Sequence, residues 1–394
     1  MLDGKISSLI FDDIFIYPNF NESILKECYA KQFTEIFPNT YLIYDHNLIK
    51  QVMNNPLLTS HEIGVGNYLK LTESFDFAKI ELKGDVLFSD AEQHTTLRAI
   101  LSKSYMKMRE SIPAMIDHVV ASHFVSIQEL DQVCLSHELA TPISEKMFLL
   151  LSGLGTAEEF HDFIPFYKSL RLLLNAIDNN LDKNGTLELI DNWKSIFSTV
   201  LHKLQNPVHS YPNLISSLST VDEISEEVKT IMILAFIRAG IENPRSYIVS
   251  AAIRYFENPD MYHRDTTRFL DEVMRYDCPA KITARYVSED ITVGGVQIKK
   301  GSKIWPSFRL ANFSTQIFDD PFTFKLRKPN PNLSLGYGPH FCIGKELTYK
   351  LTIDFINSLI DLNYSFAGYS PDYRLEESIV FRRYVKPLFV TKDR

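Results

Sequence analysis

Between Lys345 and Ile360 apolar residues recur at four-residue steps, Leu347, Leu351, Phe355 and Leu359, and this spacing predicts a helix with one buried face. A longer pattern opens at Ser225-Glu226-Glu227, where a hydroxyl and two acids suit a helix start. It runs through Met232, Phe236, Gly240 and Glu242, and predicts a helix over about 225–256. Near the front, Thr40-Tyr41-Leu42-Ile43-Tyr44 reads as a β-strand, with a short helix from His46 to Asn54 behind it. Leu130 to Leu154 and Ala157 to Leu204 read as helices with mixed faces, broken near Gly153-Leu154-Gly155 and again at Pro207. Lys281 to Ala284 is strand-like, and the tail from Asp361 to Arg394 alternates enough to form terminal strands. His61 to Asp90 has no sustained period, and an irregular stretch of that length is often a functional loop.

Composition narrows the function classes. With 45% hydrophobic residues and 27 Phe among 394 residues, the chain can build a large core. No Pro-, Gly- or Ser-rich linker, internal repeat or low-complexity run marks a domain boundary. A net charge of −8 argues against nucleic acid as a partner, because phosphate binding needs a basic face. Met1-Leu2-Asp3-Gly4-Lys5 carries no basic-then-apolar signal, and the apolar run from Ile231 to Ile237 is too short to span a bilayer. A soluble, cytoplasmic protein with no membrane anchor is therefore expected. Cys28, Cys134, Cys278 and Cys342 lack metal-pair spacing, so neither a disulfide frame nor a zinc site is expected, and the first three read as ordinary thiols.

Cys342 stands apart because of its surroundings, Leu335-Gly336-Tyr337-Gly338-Pro339-His340-Phe341-Cys342-Ile343-Gly344. The cysteine sits in a tight loop that ends where a helix begins, and the positive end of a helix dipole favours a thiolate there. Glycine lets backbone amides approach the sulfur, which a side chain at Gly338 or Gly344 would hinder. A small buried cysteine in a turn would suit the same residues. The spacing Gly-x-x-x-Cys-x-Gly, with His340 two before the cysteine, resembles the haem-binding loop of the cytochrome P450 family, in which the cysteine thiolate is the proximal iron ligand. The family usually opens this loop with Phe, where this chain has Leu335.

Further stretches match that family in order. His94 and Arg98 are four apart on one helical face; alone they would also suit a solvated polar face, and they match the His-x-x-x-Arg that holds the haem propionates. Ala239-Gly240-Ile241-Glu242-Asn243-Pro244 resembles the oxygen-binding segment, Ala-Gly-x-(Glu or Asp)-Thr-Thr, with Asn243 and Pro244 in place of both threonines. Pro244 has no N–H for the Gly240 carbonyl, so a kink is expected there, and that carbonyl is free to hold a water or a polar group. An amide cannot relay protons as a threonine hydroxyl does, though Asn243 can donate a hydrogen bond, so proton delivery through Glu242 and waters, or through the substrate, is expected. Glu272 and Arg275 are placed to pair on a helix, and with Cys278-Pro279 and the Ile291 to Ile298 window they match the family's structural core motif. Arg285 matches a propionate-binding arginine. Asp320-Pro321 is kept, Arg327 fits a second arginine, and Phe322 stands where a basic partner of Glu272 and Arg275 is common.

The resemblance implies a mainly α fold with a small β-rich region, a triangular single domain over 1–394, with haem b between two long helices. It implies cofactor contacts from His94, Arg98, Ala239, Arg285, His340, Cys342 and Gly344, and catalytic roles for Gly240, Glu242 and Asn243. It implies a substrate pocket with contributions from Ile63 to Phe77, a lid carrying Phe163, Phe166, Leu170 and Leu173, and substrate contacts at Phe381 to Tyr384. The expected activity is oxidation of a small organic molecule in specialised metabolism, as a monooxygenase fed by a ferredoxin or flavodoxin-type partner, working as a monomer. The missing threonines leave open peroxide-driven oxidation, oxidative coupling or desaturation, and a non-enzymatic haem sensor or recruitment domain is the third reading.

Overall fold

The apolar stripe from Leu347 to Leu359 is buried along its length in the computed structural model, on a helix that spans Lys345–Asp361. The structure describes residues 31–60, 84–155, 183–207, 211–369 and 388–392. Among the described residues the strands follow one another as β1 (Phe33–Phe37), β2 (Thr40–Ile43), β3 (Leu58–Thr59), β4 (Gln132–Cys134), β5 (Arg285–Val287), β6 (Ile291–Val293), β7 (Val296–Ile298), β8 (Lys303–Pro306), β9 (Tyr364–Tyr369) and β10 (Leu388–Lys392). The principal helices are α1 (His46–Asn54), α2 (Ala91–Met108), α3 (Ile112–Ser126), α4 (Thr141–Ser152), α5 (Lys183–Gln205), α6 (Glu226–Glu257), α7 (Thr266–Asp277) and α8 (Lys345–Asp361). The fold is helix-rich with small sheets.

The chain falls into two compact units. The first comprises Met1–Ser60, Gln132–Ser136 and Ser246–Arg394; the second comprises His61–Asp131 and His137–Arg245. Among the described residues the first holds every strand: a five-stranded sheet in the order β1-β2-β8-β5-β3, a three-stranded sheet β4-β10-β9, and the hairpin β6-β7. Its core joins Ile49 and Val52 of α1 to Val287, Ile304 and Leu333. Asp45 caps α1, its carboxylate accepting from the Leu48 amide at 2.7 Å.

In the second unit α2, α3, α4, α5 and the first part of α6 are helical. Ser225 opens α6 as its sequence predicts, with its hydroxyl accepting from the Val228 amide at 3.3 Å. The helix then continues through Pro244 without a break, the missing N–H removing one rung of its ladder. No helix among the described residues is long and apolar enough to cross a membrane.

Two sequence expectations change. Leu130 to Leu154 is not helical throughout: Gln132–Cys134 pairs antiparallel with β10, a π-helical turn follows, and α4 begins only at Thr141. Gly153 does end that helix, in the left-handed conformation at φ 86°. Of Lys281 to Ala284 only Ile282 makes a strand-like bridge, to Ser307, and β5 starts at Arg285. The expected pocket and lid stretches, Ile63 to Phe77, Phe163 to Leu173 and Phe381 to Tyr384, lie outside the described residues.

Candidate functional site

In the first unit Cys342 lies between a short 3₁₀ turn, Gly338–His340, and the start of α8. Its amide donates to the Leu335 carbonyl at 2.9 Å and the Phe341 amide donates to the Gly338 carbonyl at 3.0 Å, so the loop closes on itself. Cys342 is exposed, as is Phe341 at 45%, whereas Cys134 and Cys278 are buried. His340 and Gly344 flank it, both half-buried. Gly344 caps α8, and no side chain caps the first turn, which leaves amide donors and the positive helix end at the loop.

The two glycines matter for different reasons from those expected. Gly338 has φ +69°, and a Cβ there would overlap the Asn54 carboxamide at the end of α1; the demand comes from packing against that helix, not from access to the sulfur. At Gly344 a Cβ would stand 3.9 Å from the Cys342 Sγ, an ordinary contact.

Behind the loop, α7 carries a buried charge network. Glu272 and Arg275 pair at 2.7 and 2.8 Å with no exposure of either side chain. The third partner is Arg327, whose Nε donates to Glu272 at 3.1 Å, with Asn330 adding a bond at 3.1 Å. Phe322 takes no place in that charge network; its ring stacks on Phe313 and its carbonyl accepts from the Tyr276 hydroxyl. Arg275 also donates to the Asn312 carbonyl at 2.8 Å. Asn312 in turn accepts from the Leu333 amide at 2.8 Å and donates to Ser334 at 2.7 Å, which fixes the segment that enters the cysteine loop. Arg285, buried on β5, has Nη1 2.8 Å from the Ala284 carbonyl.

In the second unit His94 and Arg98 lie one turn apart on α2, His94 buried and Arg98 half-buried. Phe236, Ala239 and Asn243 fall three and four residues apart on α6; Phe236 and Asn243 are half-buried and Ala239 is exposed. The Asn243 Oδ1 is buried without a hydrogen-bond partner. Glu242 is buried and accepts from Arg245 at 2.8 Å, so its carboxylate sits in an ion pair. A Cβ at Gly240 would overlap the ring of Phe148 on α4, so close helix contact requires glycine there.

One tie was not visible from local sequence. Arg238 forms an ion pair with Asp85, whose other carboxylate oxygen accepts from the Leu87 amide at 2.9 Å. It thereby fastens the entry to α2 onto α6, the two helices that carry His94, Arg98 and Ala239 to Asn243. The signal is only a lone acid beside a basic residue 153 positions away.

Comparison with known proteins decides the family. The cytochrome P450 family model matches residues 264–351, the span holding the Glu272–Arg275 network and the cysteine loop. The chain belongs to the cytochrome P450 family. It is an enzyme, an oxidoreductase of that family. Steroid C26-monooxygenase of Mycolicibacterium smegmatis is 27% identical over 310 residues, 72% of this chain and 67% of that protein. Steroid C26-monooxygenase of Mycobacterium tuberculosis is 33% identical over 168 residues, which span 40% of this P450 and 38% of the relative. Among solved structures, the myxobacterial cytochrome P450 CYP267B1 in complex with myristic acid superposes with a TM-score of 0.82 at 20% identity, covering 98% of this chain and 99% of that one, and shows the shared fold.

P450 membership implies a haem cofactor. The residues present fit such a group: an exposed thiol at an uncapped helix start in the first unit, and in the second an open stripe on α6 beside a buried, unpartnered carboxamide oxygen.

Proposed function

We propose that this P450 is a haem-thiolate monooxygenase in which Cys342 would hold haem b through its thiolate. The carrying observation is the exposed Cys342 thiol, held by its own amide at the foot of α8 in a loop braced from α7. When bound, haem supplies one-electron and dioxygen chemistry, and thiolate donation favours O–O cleavage. Cys342 places a negative sulfur at the positive end of α8, which stabilises the thiolate. His94 and Arg98 offer two donors from one face of α2, and Arg285 a third from β5, for the carboxylates of the cofactor. His340 and Gly344 shape the loop, and Ala239 leaves room on α6 for a flat group.

Asn243 and Glu242 divide the polar work on α6. The Asn243 carboxamide presents an acceptor and a donor, so it orients a water or a substrate group; Glu242, paired with Arg245, holds charge and water nearby. The Gly240 carbonyl has no N–H from Pro244 and accepts from the same water. The substrate we propose is an elongated apolar molecule of specialised metabolism, in keeping with steroid-oxidising relatives and a neighbour that binds myristic acid. Electrons come from a ferredoxin or flavodoxin-type partner in the cytoplasm.

The unpartnered Asn243 oxygen favours a second reading, peroxide-driven oxidation, coupling or desaturation, because it replaces a proton-relaying hydroxyl. Turnover of myristic acid and a steroid under labelled dioxygen, with and without ferredoxin and reductase, separates them. One labelled oxygen per product, dependent on the electron donor, is the expected result. Product formed only with peroxide, or without inserted oxygen, supports the second reading and overturns the first.

A further inference from the structure

Lys345, the first residue of α8 and three beyond Cys342, reaches back to α7, where its Nζ donates to Asp271 Oδ1 at 3.1 Å. The same oxygen accepts from the Tyr349 hydroxyl, one turn further along α8, at 2.8 Å. Tyr349 lies under the Lys345 ammonium, 5.0 Å from its ring centre, and stacks nearly parallel on Tyr247 of α6, with centroids 5.7 Å apart and planes inclined by 9°. The Tyr247 hydroxyl donates at 2.7 Å to the carbonyl of Leu270, the residue before Asp271. Two tyrosines from two helices thus converge on consecutive residues of α7, and the start of α8 is tied to Asp271 through Lys345 and Tyr349.

This clamp is also a charge arrangement. Burial raises the Tyr349 hydroxyl far above its ordinary range, and Asp271 acts in the same direction. Lys345 opens the helix that begins directly after the Cys342 loop, so the pair it forms with Asp271 stands at the loop's end of α8. Asp271 opposes a thiolate and Lys345 supports it. As paired, each offsets part of the other's effect at the sulfur, so removing either one shifts the balance.

We infer that Asp271 and Lys345 are a charge-compensating pair of positioning residues that sets the electrostatic field at Cys342 and so tunes the reduction potential of the haem held there. The inference rests on Cys342 being the thiolate ligand. Removing Asp271 leaves the Lys345 charge uncompensated and favours the reduced, more negative state; removing Lys345 does the opposite. A purely structural clamp has no such sign reversal.

The test is spectroelectrochemical titration of the holoprotein for the parent, Asp271→Asn, Lys345→Gln, the double variant, Lys345→Arg and Tyr349→Phe. The expected result is a potential shifted upward in Asp271→Asn and downward in Lys345→Gln, near the parent in the double variant and in Lys345→Arg, with both single shifts shrinking as salt is raised. Tyr349→Phe keeps both charges and is expected to keep the potential while lowering the thermal midpoint. Shifts of equal sign, or unchanged potentials in both single variants, overturn the inference. Should Asp271→Asn fail to fold, the contrast between Lys345→Gln and Lys345→Arg decides it, and equal potentials in those two overturn it. A parent without a red-shifted carbon monoxide band overturns the ligand reading and this inference together; a parent with the band and no sign reversal overturns this inference alone.

Discussion

Glu272 holds Arg275 through both carboxylate oxygens in a site from which water is excluded, and the same carboxylate accepts from a second guanidinium, Arg327, in a segment more than fifty residues away. Removing the acid strands two guanidinium groups. Glu272→Ala is expected to cost about 3–5 kcal/mol, a large part of the roughly 5–15 kcal/mol that holds a domain folded. Denaturant unfolding checks this, and an unchanged midpoint would mean that the network does not support the fold.

The contact between Gly240 and the Phe148 ring carries a steric prediction. Gly240→Ala forces that ring to shift and is expected to lower stability by about 1–3 kcal/mol, the usual cost of overpacking a core. Combining it with Phe148→Leu is expected to restore part of the loss. Equal effects with and without the smaller partner would show that the strain lies elsewhere.

At Asn243 the prediction concerns coupling. Asn243→Thr restores a hydroxyl and removes the unpartnered carboxamide oxygen, so product formed per electron consumed and the product pattern are both expected to change. Folding is expected to stay within ~0.5–1 kcal/mol of the parent, as for modest changes outside a tight core. Identical coupling and products would remove this position from the account of the chemistry.

His46 gives a pH dependence. Burial depresses its pKa below the ordinary 6.5, against a weaker opposing effect from its bond to the Pro331 carbonyl, 2.7 Å away. The unfolded chain therefore binds the proton more readily than the folded one. The stability contributed by neutral His46 is fully present above the ordinary imidazole range and declines as pH falls below it. Thermal midpoints between about pH 7.5 and pH 5.5 are expected to fall more steeply in the parent than in His46→Gln, and equal slopes would contradict the assignment.

The sequence carried the local parts of this structure well. α1 matches its expected span, α8 shows its four-residue stripe, and Glu272 and Arg275 pair because helical spacing alone brings them together. What remained illegible depended on distant partners. Gln132–Cys134 is extended because β10, more than 250 residues later, offers a ladder that overrides a weak helical pattern. Arg238 meets Asp85, and Gly338 meets Asn54, through tertiary contacts with no periodic signal. Pro244 lies inside α6, which continues on both sides of it.

The central claim is that Cys342 supplies a thiolate to haem. The most direct measurement is the absorption spectrum of the purified, dithionite-reduced protein with carbon monoxide, beside Cys342→Ala. The account predicts a strongly red-shifted Soret band in the parent that vanishes in the variant; a folded, haem-replete parent without that band would contradict it.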